Sequence, residues 1–283
     1  MKLNERHMAF AGKVAVVTGA GGVLCSSFAK ALSRAGAKVA LLDLNEEKAV
    51  AYAKEICDEG GFARGYSCNV LVKEDCECAA EKILQDLGCC DILINGAGGN
   101  HPRATTDKAY YEQGDLDADT KTFFALSPDD VSFVFDLNFL GTLIPTQVFA
   151  KHMLGREGCN ILNVSSMNAF APLTKIPAYS AAKAAVSNFT QWLAVHFSKM
   201  DIRVNAIAPG FFLTKQNQAL LQKEDGSPTE RAQKILSATP MSRFGDAEEL
   251  EGALLFLTDS TAASFITGVV LPIDGGFSSY AGV

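Results

Sequence analysis

Tyr179 and Lys183, with Ser166 upstream, are the residues in this sequence best suited to acid–base chemistry. The tyrosine and the lysine are four residues apart in a predicted long helix, which places both side chains on one face. An ammonium group beside a phenol lowers the pKa of the phenol, because it favours the phenolate. A tyrosine tuned in this way donates or accepts a proton near neutral pH. Ser166 follows an apolar run that is typical of a strand, and we expect its hydroxyl to hydrogen-bond the oxygen that Tyr179 protonates.

A nucleotide-binding pattern occupies the beginning of the chain. The predicted strand Lys13–Thr18 leads into Gly19–Gly22, and a helix is predicted over Val23–Arg34. Free backbone amides and the helix dipole make such a helix N-terminus an anion site. Asp43 ends the second predicted strand, at the distance expected for a carboxylate that binds a ribose 2′-hydroxyl. This carboxylate would repel a 2′-phosphate, and Leu44–Glu47 contains no lysine or arginine, so we predict NAD rather than NADP.

Predicted strands and helices alternate along almost the whole chain. Further strands are predicted at Lys38–Asp43, Phe62–Cys68, Asp91–Asn95, Gly158–Ser165, Arg203–Ala208 and Val269–Ile273. The alternation is typical of a single-domain, Rossmann-like α/β fold, a doubly wound parallel sheet of about seven strands with helices on both faces. We see no linker or internal repeat, and predict one domain over residues 1–283. Two excursions, 99–127 and 211–240, are expected to form substrate loops, with a helical part around Ala219–Gln222.

One predicted helix combines an apolar stripe with an internal asparagine. Ser127 is a suitable N-cap for this helix, and Pro128 suits its first position. The helix contains Asn138 and meets Pro145, so we expect a kink or break there.

Composition and charge exclude several classes of protein. Hydrophobic residues make up 48% of the 283 residues, and the net charge is −7, which disfavours nucleic acid as a partner. We find no signal peptide and no apolar run approaching membrane-spanning length, so we expect a cytoplasmic protein that does not enter a membrane. The eight cysteines lack zinc spacing, and we expect no metal site.

These motifs together resemble those of the short-chain dehydrogenase/reductase family along nearly the whole chain. The segment Thr18–Gly22 is similar to the family's nucleotide turn, and Asn95–Gly98 to its Asn-Asn-Ala-Gly element. The catalytic tetrad of the family is matched by Asn138, Ser166, Tyr179 and Lys183, and its nicotinamide loop by Pro209, Gly210 and Thr214. Two features depart from the family pattern: Val23 and Cys25 replace turn glycines, and Asn69 replaces an aspartate usual near the adenine.

The resemblance implies a cofactor site and an assembly. It implies NAD, a small-molecule substrate and a homo-oligomer, often a tetramer. The residues implied to bind the cofactor are Gly19, Gly21, Gly22, Val23, Leu24, Asp43, Asn69, Val70, Asn95, Ala97, Gly98, Tyr179, Lys183, Pro209, Gly210 and Thr214.

The resemblance also implies a mechanism. Tyr179 protonates the ketone oxygen as hydride arrives, and Ser166 hydrogen-bonds that oxygen. Lys183 lowers the pKa of the tyrosine and holds the nicotinamide ribose. Asn138 orients a water that links Lys183 to solvent.

Four segments look closest to the D-mannonate oxidoreductase (fructuronate reductase) branch of the family. They are residues 21–25, 98–105, 166–170 and 208–214. This branch implies NAD-linked interconversion of D-mannonate and D-fructuronate. A gluconate-type or polyol dehydrogenase with the same tetrad, and a nucleotide-binding regulator without turnover, are the alternatives.

A sugar acid would bring a carboxylate and several hydroxyls to the site. Arg103 is the best candidate for the carboxylate, because its guanidinium fork matches carboxylate geometry. The other candidates for contacts with the substrate are Asn100, His101, Ser166, Asn168, Lys175 and Tyr179.

Overall fold

The structure, a computed structural model, describes residues 10–213, 221–223 and 225–282. Its strands are β1 (Val14–Thr18), β2 (Lys38–Asp43), β3 (Phe62–Ser67), β4 (Ile92–Asn95), β5 (Cys159–Val164), β6 (Ile202–Pro209) and β7 (Val270–Ile273). Its helices are α1 (Val23–Arg34), α2 (Glu46–Asp58), α3 (Lys73–Asp86), α4 (Pro128–Phe135), α5 (Gly141–Phe149), α6 (Pro177–His196), α7 (Glu230–Ser237) and α8 (Glu251–Thr258).

The strands form one parallel sheet in the order β3-β2-β1-β4-β5-β6-β7. The strand order reverses between β1 and β4. At such a point the carboxyl ends of the strands open a crevice, where doubly wound folds bind ligands. The predicted Rossmann-like sheet of seven strands is confirmed, and the topology places its crevice beside the glycine-rich turn.

The sheet is buried on both faces. All five residues of β1 are buried, and they alternate between two apolar layers, with Val17 in one and Val16 in the other. The first layer holds Phe28 of α1 and Leu254 of α8, and the second holds Ile83 of α3 and Phe149 of α5. The β-branched runs in the sequence are therefore strands with helices on either side.

The helix that carries Asn138 contains the predicted irregularity. Ser127 caps α4 by accepting a hydrogen bond from the Asp129 amide. A π-helical turn, Asp136–Leu140, then separates α4 from α5. Such turns are rare and occur frequently at functional sites.

The same helical run corrects one expectation from the sequence. We expected no apolar segment of membrane-spanning length, yet Pro128–Met153 is long and apolar enough by length and composition. Half of its most apolar window is buried inside the protein, and Phe149 lies in the core. This burial is typical of the core helix of a globular protein.

The first excursion is an ordered loop. Lys108 contacts Glu112 at 2.8 Å and the buried Asp115 at 2.7 Å, which ties the middle of the loop together. The second excursion contains α7, whose first turn is capped by the Thr229 hydroxyl. The predicted helical part around Ala219–Gln222 lies partly outside the described residues.

Candidate active site

Ser166 and Tyr179 meet at the carboxyl edge of the sheet. Ser166 lies two residues beyond the end of β5, and Tyr179 lies in the first turn of α6, which begins at Pro177. The Ser166 hydroxyl hydrogen-bonds the Tyr179 side chain, and it also accepts from the Asn168 amide at 3.3 Å. Strand and helix thus bring together two hydroxyl groups that the sequence separates by thirteen residues.

Lys183 lies one turn further along α6, with its side chain buried. Its Nζ donates to the Val164 carbonyl at 2.8 Å and lies 5.7 Å from the centre of the Tyr179 ring. Burial lowers the pKa of the lysine to about 8. A Cβ at Gly98 would come within 3.2 Å of this Nζ, so the bare glycine leaves the ammonium room beside the loop after β4.

The electrostatics of Tyr179 differ from the expectation. We predicted that Lys183 lowers the pKa of the phenol, but burial raises the pKa of Tyr179, and the hydrogen bond with Ser166 is what lowers it in part. The reason is that both groups are desolvated, and the lysine directs its Nζ to the Val164 carbonyl. The phenol of Tyr179 is therefore protonated at neutral pH, as a proton donor must be.

Asn138 joins the π-helical turn to the loop after β4. Its Nδ2 donates to the carbonyls of Gly99 and Val134, both at 2.8 Å, and its Oδ1 accepts from the Gly99 amide at 3.1 Å. The buried amide thereby fixes the backbone that borders Lys183. The predicted role of Asn138 in orienting a water stays a prediction.

A cavity of about 430 Å³ lies at the crevice between β1 and β4. Most of the residues predicted to bind the cofactor line it, namely Gly19, Gly21, Gly22, Val23, Leu24, Asp43, Asn69, Val70, Ala97 and Gly98. The sequence reasoning missed Cys25, Leu44, Lys48, Cys68, Gly96 and Leu137. Lys48 stands one residue beyond the segment searched for cations, in the first turn of α2.

The cavity fits a dinucleotide on its own geometry. The Asp43 carboxylate accepts from the amides of Gly21 at 2.9 Å and Asn45 at 2.8 Å, which holds it at the cavity wall. A Cβ at Gly21 would lie 2.8 Å from Asp43 Cγ, so only glycine permits this approach. Gly22 precedes α1 and has no side chain to cap it, which leaves the amides of the first turn for an anion.

The side chains that stand in place of the turn glycines, those of Val23 and Cys25, are accommodated by close packing. Gly19 has φ +67°, and a Cβ there would lie 2.8 Å from Ala97 Cα, so the turns after β1 and β4 touch through backbone. A Cβ at Gly96 would lie 2.2 Å from Cys25 Sγ. The Cys25 thiol thus occupies the space that Gly96 leaves, and burial raises its pKa to about 12. Val23 lines the cavity beside it.

Other predicted cofactor residues lie outside this cavity. The Asn95 side chain is buried and donates to Thr146 and Asn163, both at 2.9 Å, so it braces β4 against α5 and β5, and its part in cofactor binding stays a prediction. Pro209 ends β6, and a Cβ at Gly210 would lie 2.6 Å from Asp274 Cα. Thr214 lies outside the described residues.

The predicted substrate residues are dispersed over the first excursion and the Ser166 turn. Asn100 donates to the Thr105 hydroxyl, and His101 packs edge-on against Phe133 at 5.3 Å. Arg103 is 66% exposed and forms an ion pair with Asp130 at 3.2 Å. Asn168 is buried, and in the described part of the chain its Oδ1 has no hydrogen-bond partner.

Sequence comparisons place these features among dehydrogenases. The family profile described as short chain dehydrogenase matches residues 13–225. The chain is 61% identical over 271 residues to an oxidoreductase of Haemophilus influenzae with no substrate assigned, covering 96% of this chain and 95% of that protein. It is 30% identical over 266 residues to 5-keto-D-gluconate 5-reductase of Escherichia coli K12, covering 94% and 95%.

Solved structures agree with the sequence comparisons. A crystal structure with bound NAD, from a Haemophilus influenzae protein provisionally named a D-mannonate oxidoreductase, matches with a TM-score of 0.93 and 60% identity, covering 96% of this chain and 97% of the other. A gluconate 5-dehydrogenase from Burkholderia cenocepacia, with NADP and tartrate, matches with a TM-score of 0.81 and 30% identity, covering 98% and 99%. The seven-stranded sheet, the profile match over residues 13–225 and these similarities show that the chain belongs to the short-chain dehydrogenase/reductase family.

Proposed function

We propose that this protein is an NAD-dependent oxidoreductase that interconverts a keto sugar acid and its alcohol, with D-fructuronate and D-mannonate as the pair. One observation carries the proposal: Ser166 contacts Tyr179. The pair lies beside the nucleotide cavity and close to Lys183. The contact supports the proposal because a phenol at this position would donate a proton at the edge of the sheet where the cofactor cavity opens. The name of the Haemophilus influenzae structural relative supports the choice of substrate.

The chain's own residues supply proton transfer and orientation. NAD, when bound, carries the hydride. Tyr179 Oη gives its proton to the ketone oxygen during reduction and takes it back during oxidation. Ser166 hydrogen-bonds the same oxygen and holds it at the phenol. A positioned general acid of this kind contributes roughly 10²- to 10⁴-fold to the rate.

Lys183 and Asn138 support proton transfer by the Tyr179 phenol. The buried ammonium of Lys183 would hold the nicotinamide ribose and stabilise negative charge on Tyr179 Oη when the proton leaves. Asn138 holds Gly99, and through it the loop that borders Lys183. We propose that Asn138 also orients the water through which Lys183 exchanges protons with solvent.

A substrate panel tests the proposal. Purified protein should oxidise NADH with D-fructuronate, and much more slowly with tagaturonate, 5-ketogluconate or fructose. A preference for 5-ketogluconate would favour the second candidate, a gluconate-type dehydrogenase, which the Escherichia coli and Burkholderia cenocepacia relatives support. NADH binding without turnover of any ketone would favour the non-catalytic regulator.

The preference for NAD is assigned to Asp43. Its carboxylate is held at the cavity wall by two backbone amides, where it would accept from a ribose 2′-hydroxyl and repel a 2′-phosphate. We expect Asp43→Asn to raise the ratio of kcat/KM for NADPH to that for NADH by about tenfold or more. Lys48, which lines the same cavity, would then face the phosphate without the Asp43 carboxylate.

The matched control is Asp58→Asn, at the far end of α2, where Asp58 pairs with Lys54 on the surface. This variant should keep the wild-type cofactor ratio. If Asp43→Asn also kept that ratio, the assignment of cofactor choice to Asp43 would be wrong.

We also propose a cytoplasmic homotetramer. An apolar groove between α5 and α6 supports the assembly, because Trp192, the single tryptophan of the chain, is 56% exposed there and Leu154 is 50% exposed. We expect Trp192→Glu to give a smaller species by light scattering, because charge is depleted from the centres of interfaces. The control Val50→Glu, at an exposed position on α2, should leave the mass unchanged. A wild-type monomer would contradict the proposal.

A further inference from the structure

A second cavity, of about 380 Å³, lies at the same edge of the sheet as Tyr179. Lys175 lines it four residues before the tyrosine, and Phe211 lines it directly after Gly210. Phe211 meets Phe277 edge-on at 5.3 Å and forms an apolar wall. Helix α7 supplies another side. The size and the mixed lining fit a small polar ligand.

The cavity is rich in cations, although the protein is acidic. In the described part of the chain, its charged lining residues are Lys175, Glu230, Arg231 and Lys234. Lys234 pairs with Glu230 at 2.8 Å, and Glu230 also lies in the field of Lys175. In the ranges that the structure describes, Arg231 has no carboxylate within ion-pair distance, and neither has Lys175. Among the described residues that line the cavity, three cations and one acid give a net positive charge, whereas the whole chain has a net charge of −7.

Lys175 is held in place by its backbone. It has φ +71°, a conformation uncommon for a residue with a side chain, and its carbonyl accepts from the Thr106 amide at 2.9 Å. This hydrogen bond joins the first excursion to the turn that leads into α6. The backbone of Lys175 is therefore held by the elements that also position Tyr179.

We propose that Lys175 and Arg231 bind the carboxylate of the substrate. This inference rests on the proposed function, because it names the subsite for the acid group of the keto sugar acid. Arg103, the candidate favoured from sequence, would first have to give up its ion pair with Asp130. Arg231 needs no such exchange among the described residues, and its fork suits a carboxylate. The apolar wall of Phe211 and Phe277 would pack against the carbon chain of the sugar.

Binding of D-gluconate, a sugar acid without a ketone, tests this subsite apart from turnover. Calorimetric titration of the protein saturated with NADH should detect D-gluconate. We expect Arg231→Gln and Lys175→Gln each to weaken this binding about tenfold or more, while the affinity for NADH stays unchanged. Arg103→Gln should retain wild-type affinity for D-gluconate, as should the control Arg64→Gln on the edge strand β3, where Arg64 pairs with Asp86.

The outcomes separate the two proposals. Loss of D-gluconate affinity in Arg103→Gln but not in Arg231→Gln or Lys175→Gln would overturn the inference, as would a wild-type protein that binds no D-gluconate. A protein that binds D-gluconate through Arg231 and Lys175, yet reduces no keto acid, would contradict the proposed function and leave the subsite standing. In an active enzyme, the same two variants should raise KM for D-fructuronate about tenfold and change kcat little.

Discussion

Replacing Tyr179 by phenylalanine should lower kcat for ketone reduction by about 10³-fold or more, while NADH still binds. The variant removes the one hydroxyl placed to protonate the ketone oxygen, and general acid–base catalysis contributes roughly 10²- to 10⁴-fold. The ring, which packs with Ala104, Val134 and Ala178, is kept. Steady-state kinetics and fluorescence titration with NADH separate the loss of turnover from any loss of binding.

The matched control for this variant is Tyr52→Phe. Tyr52 is a partly buried tyrosine on α2, where Lys30 lies 5.6 Å from its ring centre, away from the Ser166 turn. It should keep wild-type kcat. If Tyr179→Phe kept wild-type kcat as well, another group would have to supply the proton, and the assignment of the site would be wrong.

Because the pKa of Tyr179 is raised, the rates of oxidation and reduction should depend on pH in opposite ways. Because burial keeps the phenol protonated, Tyr179 is a ready acid at pH 7 and a poor base. We therefore expect alcohol oxidation to speed up as pH rises toward the pKa of the phenol. The rate of ketone reduction should stay constant through neutral pH and fall at alkaline pH. The Ser166 hydrogen bond lowers this pKa. Ser166→Ala should therefore shift the rise in oxidation rate and the fall in reduction rate to higher pH.

The sequence was informative where one backbone pattern determines one local structure. Helix α1 has the predicted bounds Val23–Arg34, and β2 the predicted bounds Lys38–Asp43. Both elements are flanked by turn residues and bury their apolar residues, which have helical spacing in α1 and form a continuous run in β2, so local and tertiary preferences agree. The i, i+4 spacing of Tyr179 and Lys183 likewise predicted that the two side chains lie close together on α6, and Lys183 Nζ lies 5.7 Å from the centre of the Tyr179 ring.

Properties that depend on packing between distant segments could not be obtained this way. The pKa of Tyr179 depends on how far its hydroxyl is buried, which spacing along a helix does not specify. The motif did not reveal the partners of the Asn95 side chain, Thr146 and Asn163, which come from elements fifty and more residues away. The cavity of Lys175 and Arg231 joins segments that carry no common sequence pattern.

Burial of the Lys183 ammonium leads to the second large effect, a gain in stability when the lysine is removed. Its pKa is about 8 in the folded protein against 10.5 ordinarily. At 1.36 kcal/mol per unit, this depression costs the folded state on the order of 3 kcal/mol below pH 8. Lys183→Met removes the buried charge but also loses the hydrogen bond to the Val164 carbonyl, about 1 kcal/mol. We expect the inactive variant to be more stable than wild type by roughly 2 kcal/mol at pH 7.

The dependence of this gain on pH identifies its cause. As pH rises from 8 to 10.5, the folded wild-type protein releases the Lys183 proton before the unfolded chain does, so wild-type stability rises relative to Lys183→Met. Urea unfolding without NAD should therefore show an advantage for the variant at pH 7 that has largely disappeared by pH 10.5. The exposed control Lys199→Met should show no such trend. A Lys183→Met protein that is less stable than wild type at pH 7 would mean that the Val164 contact outweighs the cost of burying the charge, and that Lys183 is held for stability as well as for catalysis.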